Sequence, residues 1–350
     1  MYVRNAWYVA AWSNELANDK PFAITILGEP IVIYRSAASS RLVALQDRCV
    51  HRLAPLSLGR CEGERLRCMY HGLLFNPDGT VAEIPGQEKI PPQARVRSFP
   101  VADSGGWIWV WMGEPDRADE ALIPPSIGPD HPDYIMGQGH LDYEAEARLI
   151  NDNLLDFSHL TFVHAESFQA PDDFAASQPK LETMERGVRY SRWIVDAPGP
   201  VGRQSDKPID NYMSYDFFVP GILLMWSGSF PRGTAESCNY GEPDKNLATA
   251  NVTFTSQAVT PLSNGKSRYF FCWGPHKDHG DEKLRDFLMT LADKAFGEDR
   301  RMIEAQQKVI AAMANPTVMP TAHDRGITIF NRIVERMARE EAGSMSAPSC

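Results

Sequence analysis

Two short stretches decide the reading of this chain: Cys49-Val50-His51-Arg52-Leu53-Ala54-Pro55-Leu56-Ser57 and, a little further on, Cys68-Met69-Tyr70-His71-Gly72. Each offers one thiolate and one imidazole, and each lies where a short strand gives way to a tight loop. Two Cys and two His suffice for a tetrahedral zinc. A zinc finger, however, usually spends both Cys in one knuckle and both His on a helix. Here both halves repeat Cys-then-His, and no helical period follows. A [2Fe-2S] cluster has a use for that arrangement: two thiolates hold one iron, two neutral imidazoles hold the other, and imidazole in place of thiolate raises the reduction potential.

The surrounding chain fits a protein that binds such a group. It is 350 residues long. That is enough for about two domains of roughly 150 residues each. The composition is 43% hydrophobic and 23% charged, with 25 Gly and 26 Pro. Such a balance excludes a disordered, collagen-like or disulfide-stapled chain. The formal net charge of −10 gives no reason to expect a nucleic-acid partner or an anionic lipid surface. The longest apolar run, residues 217–226, is interrupted by Pro220-Gly221 and is too short to span a membrane. Residues 6–12 are too short and too polar-flanked for a signal-peptide core, so a cytoplasmic protein is expected. Six cysteines are present, and Cys49, Cys61 and Cys68 crowd together. In a reducing compartment this reads as metal binding rather than disulfide. Cys61, between the two halves, reads as an ordinary loop thiol.

Residues 1–115 read as short strands punctuated by turns, at 24–27, 31–34, 42–45 and the Trp-rich 106–112, with Pro77-Asp78-Gly79 as a turn. Residues 116–350 carry a helix expected over 145–163, antiparallel strands at 212–226, 248–259 and 268–273, and two closing helices. In the first of these, 281–313, Leu284, Leu288, Leu291, Ala295, Met302, Gln306 and Val309 form one stripe; in the second, Ile329, Ile333, Val334 and Met337 do. The expected fold class is α+β: an all-β domain over 1–115, then an α+β domain over 116–350.

A second constellation lies in Asn153-Leu154-Leu155-Asp156-Phe157-Ser158-His159-Leu160-Thr161-Phe162-Val163-His164. In a regular helix His159 and His164 stand about 140° apart and cannot share a metal. The helix must therefore end between them or carry a π-bulge. Among the acids of 281–313, periodicity favours Glu298 and Asp299 as inward-facing and does not choose between them.

The first constellation resembles the cluster-binding loops of Rieske oxygenases. Leu53 and Tyr70 stand near the ligands, where the respiratory-chain proteins have paired cysteines, and Met69 replaces a proline found in many relatives. Asn153, Asp156, His159 and His164 match that family's iron-site motif, and Glu298-Asp299-Arg300-Arg301 is similar to its vanillate- and dicamba-demethylase branch. The resemblance implies a Rieske [2Fe-2S] cluster on Cys49, His51, Cys68 and His71, and a helix-grip catalytic domain holding Fe(II) by His159, His164 and Asp299. Three ligands on one face suit non-haem iron, leaving open positions for O2 and water. It further implies that Asp156 is a carboxylate bridging two imidazoles for electron transfer and that Asn153 stands near the iron. It implies a homotrimer in which one subunit's cluster serves its neighbour's iron, and a reductase or ferredoxin that brings electrons from NAD(P)H. The implied reaction is oxidative O- or N-demethylation of a small aromatic compound. Ring hydroxylation or cis-dihydroxylation is the alternative within enzymes, and a metal-stapled ligand-binding protein the alternative outside them. The strands expected to floor the pocket carry Tyr212, Tyr215, Phe217, Phe218, Trp226, Phe254 and Phe271, with Leu223, Leu224 and Met225; sheet aromatics are usually plain core, and those that face the iron would make the pocket apolar and aromatic. Arg148, Arg186 and Arg203 are the possible anchors for an acidic substrate.

Overall fold

Eleven short strands among the described residues of the first third of the chain pair into three small antiparallel sheets. The computed structural model describes residues 2–170, 174–175, 178–197, 199 and 207–345. By packing, the chain divides into one unit of Tyr2–Ile123 with Thr260–Asn264, and another of Pro124–Val259 with Gly265–Cys350.

In the first unit, β1 (Trp7–Trp12) pairs with β11 (Trp107–Trp111), which pairs with β10 (Val101–Ser104). Every residue of β1 and β11 is buried. A strand covered on both faces has no reason to alternate, and the sequence there does not. Trp7 meets Trp111 with ring centroids 5.5 Å apart. Trp12 meets Trp107 at 5.3 Å. Both spacings are those of favourable aromatic pairs. A second sheet orders β2 (Phe22–Ile26), β3 (Glu29–Arg35), β4 (Leu42–Gln46) and β9 (Ser98–Phe99). The third orders β5 (Arg60–Glu62), β6 (Arg65–Arg67), β7 (Leu74–Phe75) and β8 (Val81–Glu83). Its core joins Cys49 and Cys68 to Val32, Tyr34, Leu66 and Phe75.

The second unit is built on one seven-stranded sheet. Strands β13 (Lys180–Met184), β14 (Gly187–Ala197), β15 (Ile209–Phe218), β16 (Ile222–Pro231), β17 (Ala250–Ser263) and β18 (Lys266–Pro275) follow in order, and β12 (Gly137–Tyr143) adds antiparallel to β18. The expected strand 212–226 is two strands, turned at the cis peptide Val219–Pro220. Helices α1 (Ala147–Leu154), α2 (Leu160–Val163), α3 (Glu282–Ala312) and α4 (Arg325–Met345) accompany this sheet. The α+β expectation holds, with an all-β unit first and an antiparallel sheet with helices second.

Two expectations need correction. The helix expected over 145–163 is broken, because Asp156 is extended, at φ -133° and ψ 96°. Its carboxylate accepts from Ser158 N at 2.8 Å. That contact caps the next turn. The stripe on α3 also shifts. Met302 and Val309 are exposed, and the buried line runs Leu284, Leu288, Ala292, Ala295, Asp299 and Ile303. Steps of three and four residues keep that line on one face, and they place Asp299 on it.

Candidate metal centres and active site

The two cysteine loops of the first unit share one backbone design. Cys49 N donates to Ala54 O and Leu53 N to Cys49 O; Cys68 N donates to Leu73 O and Gly72 N to Cys68 O. Each loop therefore closes at the fourth and fifth residue after its Cys. The fourth residue is left-handed in both, Leu53 at φ 58° and Gly72 at φ 76°. This closure buries both thiols and leaves His51 and His71 exposed, their ring centroids 4.5 Å apart. Burial and the neighbouring Cys68 thiol push the Cys49 pKa up, so a metal must displace a proton to bind there. Desolvation, helped by His51 and Arg52, holds His71 below the usual imidazole value, which favours the neutral ring a metal needs. The donor chemistry, two thiols inside and two imidazoles outside, fits the cluster. Cys61 sits on β5, packed against the same core, with burial raising its pKa to about 11.

In the second unit both histidines follow the break at Asp156, on the two short helical turns after it. His159 ends a 3-10 turn and His164 ends α2, one helical turn later. Among the described residues, His159, His164 and Asp299 form a group whose donor atoms all lie within 4.8 Å of one another. Asp299 Oδ1 is 3.5 Å from His159 Nε2 and 3.3 Å from His164 Nε2. The other ring nitrogens are already engaged. His159 Nδ1 lies 2.5 Å from the Asp156 carbonyl oxygen, and His164 Nδ1 lies 2.9 Å from Glu298 Oε2. A carbonyl only accepts, so His159 carries its proton on Nδ1 and turns a lone pair from Nε2 toward Asp299. With both rings neutral, two imidazole Nε2 atoms and a carboxylate oxygen converge on one point, an arrangement that suits a cation. The donor set fits a mononuclear iron, whose open positions a two-His, one-carboxylate face leaves free. Burial holds the His159 pKa down. Burial also lowers that of His164, but the Asp299 and Glu298 carboxylates together carry it above the ordinary value.

Asn153 Nδ2 donates to Asp299 Oδ1 at 3.2 Å, which places it beside the centre. The Asp156 carboxylate does not touch His159; its backbone does. Asp156 also borders a neighbouring cavity, with Tyr190, Arg192, Tyr215 and His323. Glu298, which periodicity favoured equally with Asp299, lies on the far side of the His164 ring.

The centre opens into a cavity whose floor follows strand alternation. Asn211 and Met213 of β15, Met225, Ser227 and Ser229 of β16, and Thr253, Thr255 and Gln257 of β17 all line it. Its roof is apolar: Phe168, Leu284, Phe287, Leu288 and Phe296. Of the sheet aromatics considered from sequence, Tyr212 borders this cavity, while Phe217 packs edge-on against Phe330 and Trp226 joins Tyr212 and Phe230 in a core of their own. Alternation explains the difference, because the aromatic and the small polar residues fall on opposite faces of β16. Thr255 Oγ1 donates to Cys272 O at 2.7 Å and so accepts from Gln257 Nε2 at 3.3 Å, leaving buried Gln257 Oε1 without a partner among the described residues. No Lys or Arg lines the cavity among the described residues; Arg148 and Arg186 do not, and Arg203 lies outside them.

A thiol–imidazole set in a small all-β unit and a two-histidine, one-carboxylate set over a ligand-sized cavity define a class, the iron oxygenases that feed electrons from a cluster to a mononuclear iron. The comparisons agree. Residues 6–100 match the Rieske [2Fe-2S] domain, and residues 143–340 match the vanillate O-demethylase oxygenase C-terminal domain. The toluene-4-sulfonate monooxygenase system iron-sulfur subunit TsaM1 of Comamonas testosteroni is 37% identical, over 98% of this chain and 99% of that one. The vanillate O-demethylase oxygenase subunit of a Pseudomonas species (strain HR199 / DSM 7063) is 32% identical, over 99% and 98%. A crystal structure of dicamba monooxygenase with non-heme iron and dicamba superposes with a TM-score of 0.77 at 26% identity, over 98% and 99%. The chain belongs to the Rieske non-haem iron oxygenases, in the vanillate O-demethylase branch, and is the oxygenase component of a monooxygenase system with a [2Fe-2S] cluster and a mononuclear iron as cofactors. Such a component works with an electron-donating partner. No helix among the described residues is long and apolar enough to cross a membrane.

Proposed function

We propose that this oxygenase oxidises a C–H bond of a small aromatic compound, with oxidative O- or N-demethylation as the leading reaction. Cys49, His51, Cys68 and His71 hold the cluster in a domain over 1–115, and His159, His164 and Asp299 hold the iron in a domain over 116–350. The observation that carries the reading is the convergence of both Nε2 atoms and Asp299 in the lining of one cavity. When bound, the cluster passes electrons singly and the iron activates O2.

This chain's own residues prepare the reaction. The Asp156 carbonyl holds the His159 ring with its Nε2 lone pair inward, and Asn153 steadies Asp299. The apolar roof excludes bulk water and grips an arene, while the Ser, Thr and Gln floor offers neutral hydrogen-bond partners to ring substituents. Hydroxylation of a methyl carbon on oxygen or nitrogen yields a hemiacetal or hemiaminal, which collapses to release formaldehyde. The exposed His51 and His71, rimmed by exposed Leu53, Met69 and Tyr70, favour delivery of electrons across a protein–protein contact. This supports a reductase or ferredoxin drawing on NAD(P)H, and a homotrimer in which the cluster of one subunit serves the iron of the next. A cytoplasmic location suits both cofactors.

A second reading, hydroxylation of an aryl methyl group without bond cleavage, is favoured by the 37% identity to a toluene-4-sulfonate monooxygenase subunit. Product analysis separates the readings. Reduced enzyme is exposed to O2 with methoxy-, N-methyl- and methyl-arenes in turn. Formaldehyde supports demethylation, a benzylic alcohol without formaldehyde supports the second reading, and a cis-diol contradicts both.

A further inference from the structure

Consecutive residues on a helix point about 100° apart, and on α3 two consecutive carboxylates meet the same imidazole from opposite edges. Asp299 Oδ1 stands 3.3 Å from His164 Nε2, and Glu298 Oε2 stands 2.9 Å from His164 Nδ1. The ring between them is 1% exposed. Glu298 Oε2 also accepts from Ser167 Oγ at 2.7 Å, and both Glu298 and Ser167 are buried. Glu298 therefore faces the edge of the ring away from Asp299 and His159.

We propose that Glu298 is a positioning residue for the mononuclear metal: it fixes His164 with its proton on Nδ1, so that the Nε2 lone pair meets the metal, and Ser167 fixes Glu298. This rests on the iron assignment above. An ionised carboxylate accepts and cannot donate, so a proton on Nδ1 is the tautomer this contact selects. Without Glu298 the buried Nδ1–H loses its acceptor, and the ring is free to flip or to exchange tautomers, either of which spoils the donor set. The two metal-site histidines are thus fixed by different means. His159 leans on a main-chain carbonyl that no side-chain substitution removes, whereas His164 leans on a side chain.

The test reads metal binding, not turnover. The full-length protein, its cluster intact, is emptied of mononuclear metal by chelation and titrated with Co(II), followed by the ligand-field bands. Glu298→Ala should weaken Co(II) binding by about 10- to 100-fold. Glu298→Gln, whose amide oxygen still accepts from Nδ1, should recover most of it, and Asp299→Ala should abolish it. Ser167→Ala should give a smaller loss in the same direction. An unchanged cluster spectrum in each variant certifies the fold, and Glu298→Gln with Ser167→Ala carry the test if Glu298→Ala fails to fold. Wild-type affinity in Glu298→Ala overturns the proposal, as does Glu298→Gln behaving like Asp299→Ala, which would make Glu298 a ligand. Failure of the wild type to bind Co(II) overturns the iron assignment itself.

Discussion

His159 Nδ1 donates to the backbone carbonyl of Asp156 at 2.5 Å, while the Asp156 carboxylate caps the following turn and the residue borders a neighbouring cavity. The His159 ring is thus held by the main chain, and the Asp156 side chain acts on it through the cap of the turn that carries it. Asp156→Asn keeps the capping oxygen and should retain wild-type iron content. If the carboxylate serves electron arrival, single-turnover oxidation of substrate should slow by an order of magnitude. Loss of iron in this variant would show that the carboxylate holds the metal site.

The matched closure of the cysteine loops makes an asymmetric prediction. Gly72 is left-handed, and a Cβ there would stand 2.9 Å from Pro85 Cγ. Gly72→Ala should cost about 1–2 kcal/mol for the backbone alone and lower the temperature at which the cluster's absorption is lost. Leu53 occupies the equivalent position with its side chain 64% exposed. Leu53→Gly relieves the left-handed strain, adds unfolded-chain entropy, and removes little packing, so its melting temperature should stay close to wild type. Thermal denaturation followed at the cluster band compares the two; a large loss in Leu53→Gly would contradict the argument.

The cavity floor separates substrate from metal. Ser227 lines the floor at the centre of the β15–β16–β17 face. Ser227→Trp should fill the space above it and abolish turnover of any arene while iron and cluster contents stay unchanged. Activity on a panel of arenes, set beside metal analysis of the same preparation, checks this.

On that floor, Thr255→Val removes the hydroxyl that donates to Cys272 O and accepts from buried Gln257 Nε2. The loss should destabilise the domain by about 1–3 kcal/mol. Thr255→Ser, which keeps the hydroxyl, should largely restore stability. Chemical denaturation of the three proteins measures the difference.

Much of this was legible in the sequence because the decisive residues are chemically rare. Thiol and imidazole repeated in Cys49-Val50-His51 and Cys68-Met69-Tyr70-His71 have few uses, and the Trp-rich run before Gly113 reads as a strand. The His159–His164 spacing called for a helix end between the two or a π-bulge; the break instead precedes both, at Asp156, which turns extended and caps Ser158. Periodicity could not separate Glu298 from Asp299, because both are buried and both serve the same imidazole. The true buried line on α3 depends on which partner packs against its later turns, a tertiary fact that left Met302 and Val309 outside. The cavity floor was not legible for a related reason: the sheet aromatics belong mostly to the core, as their usual role suggests, whereas the floor is made of Ser, Thr and Gln, which look like surface.

The most direct test of the two-centre account is iron and acid-labile sulfide per chain on anaerobically purified protein, with absorption spectra before and after dithionite. One [2Fe-2S] cluster and one mononuclear iron predict three irons and two sulfides, with a visible band that bleaches on reduction. Asp299→Ala should keep the band and both sulfides and lose one iron. Zinc without sulfide, in protein that also fails to take up iron and sulfide on reconstitution, would contradict the account.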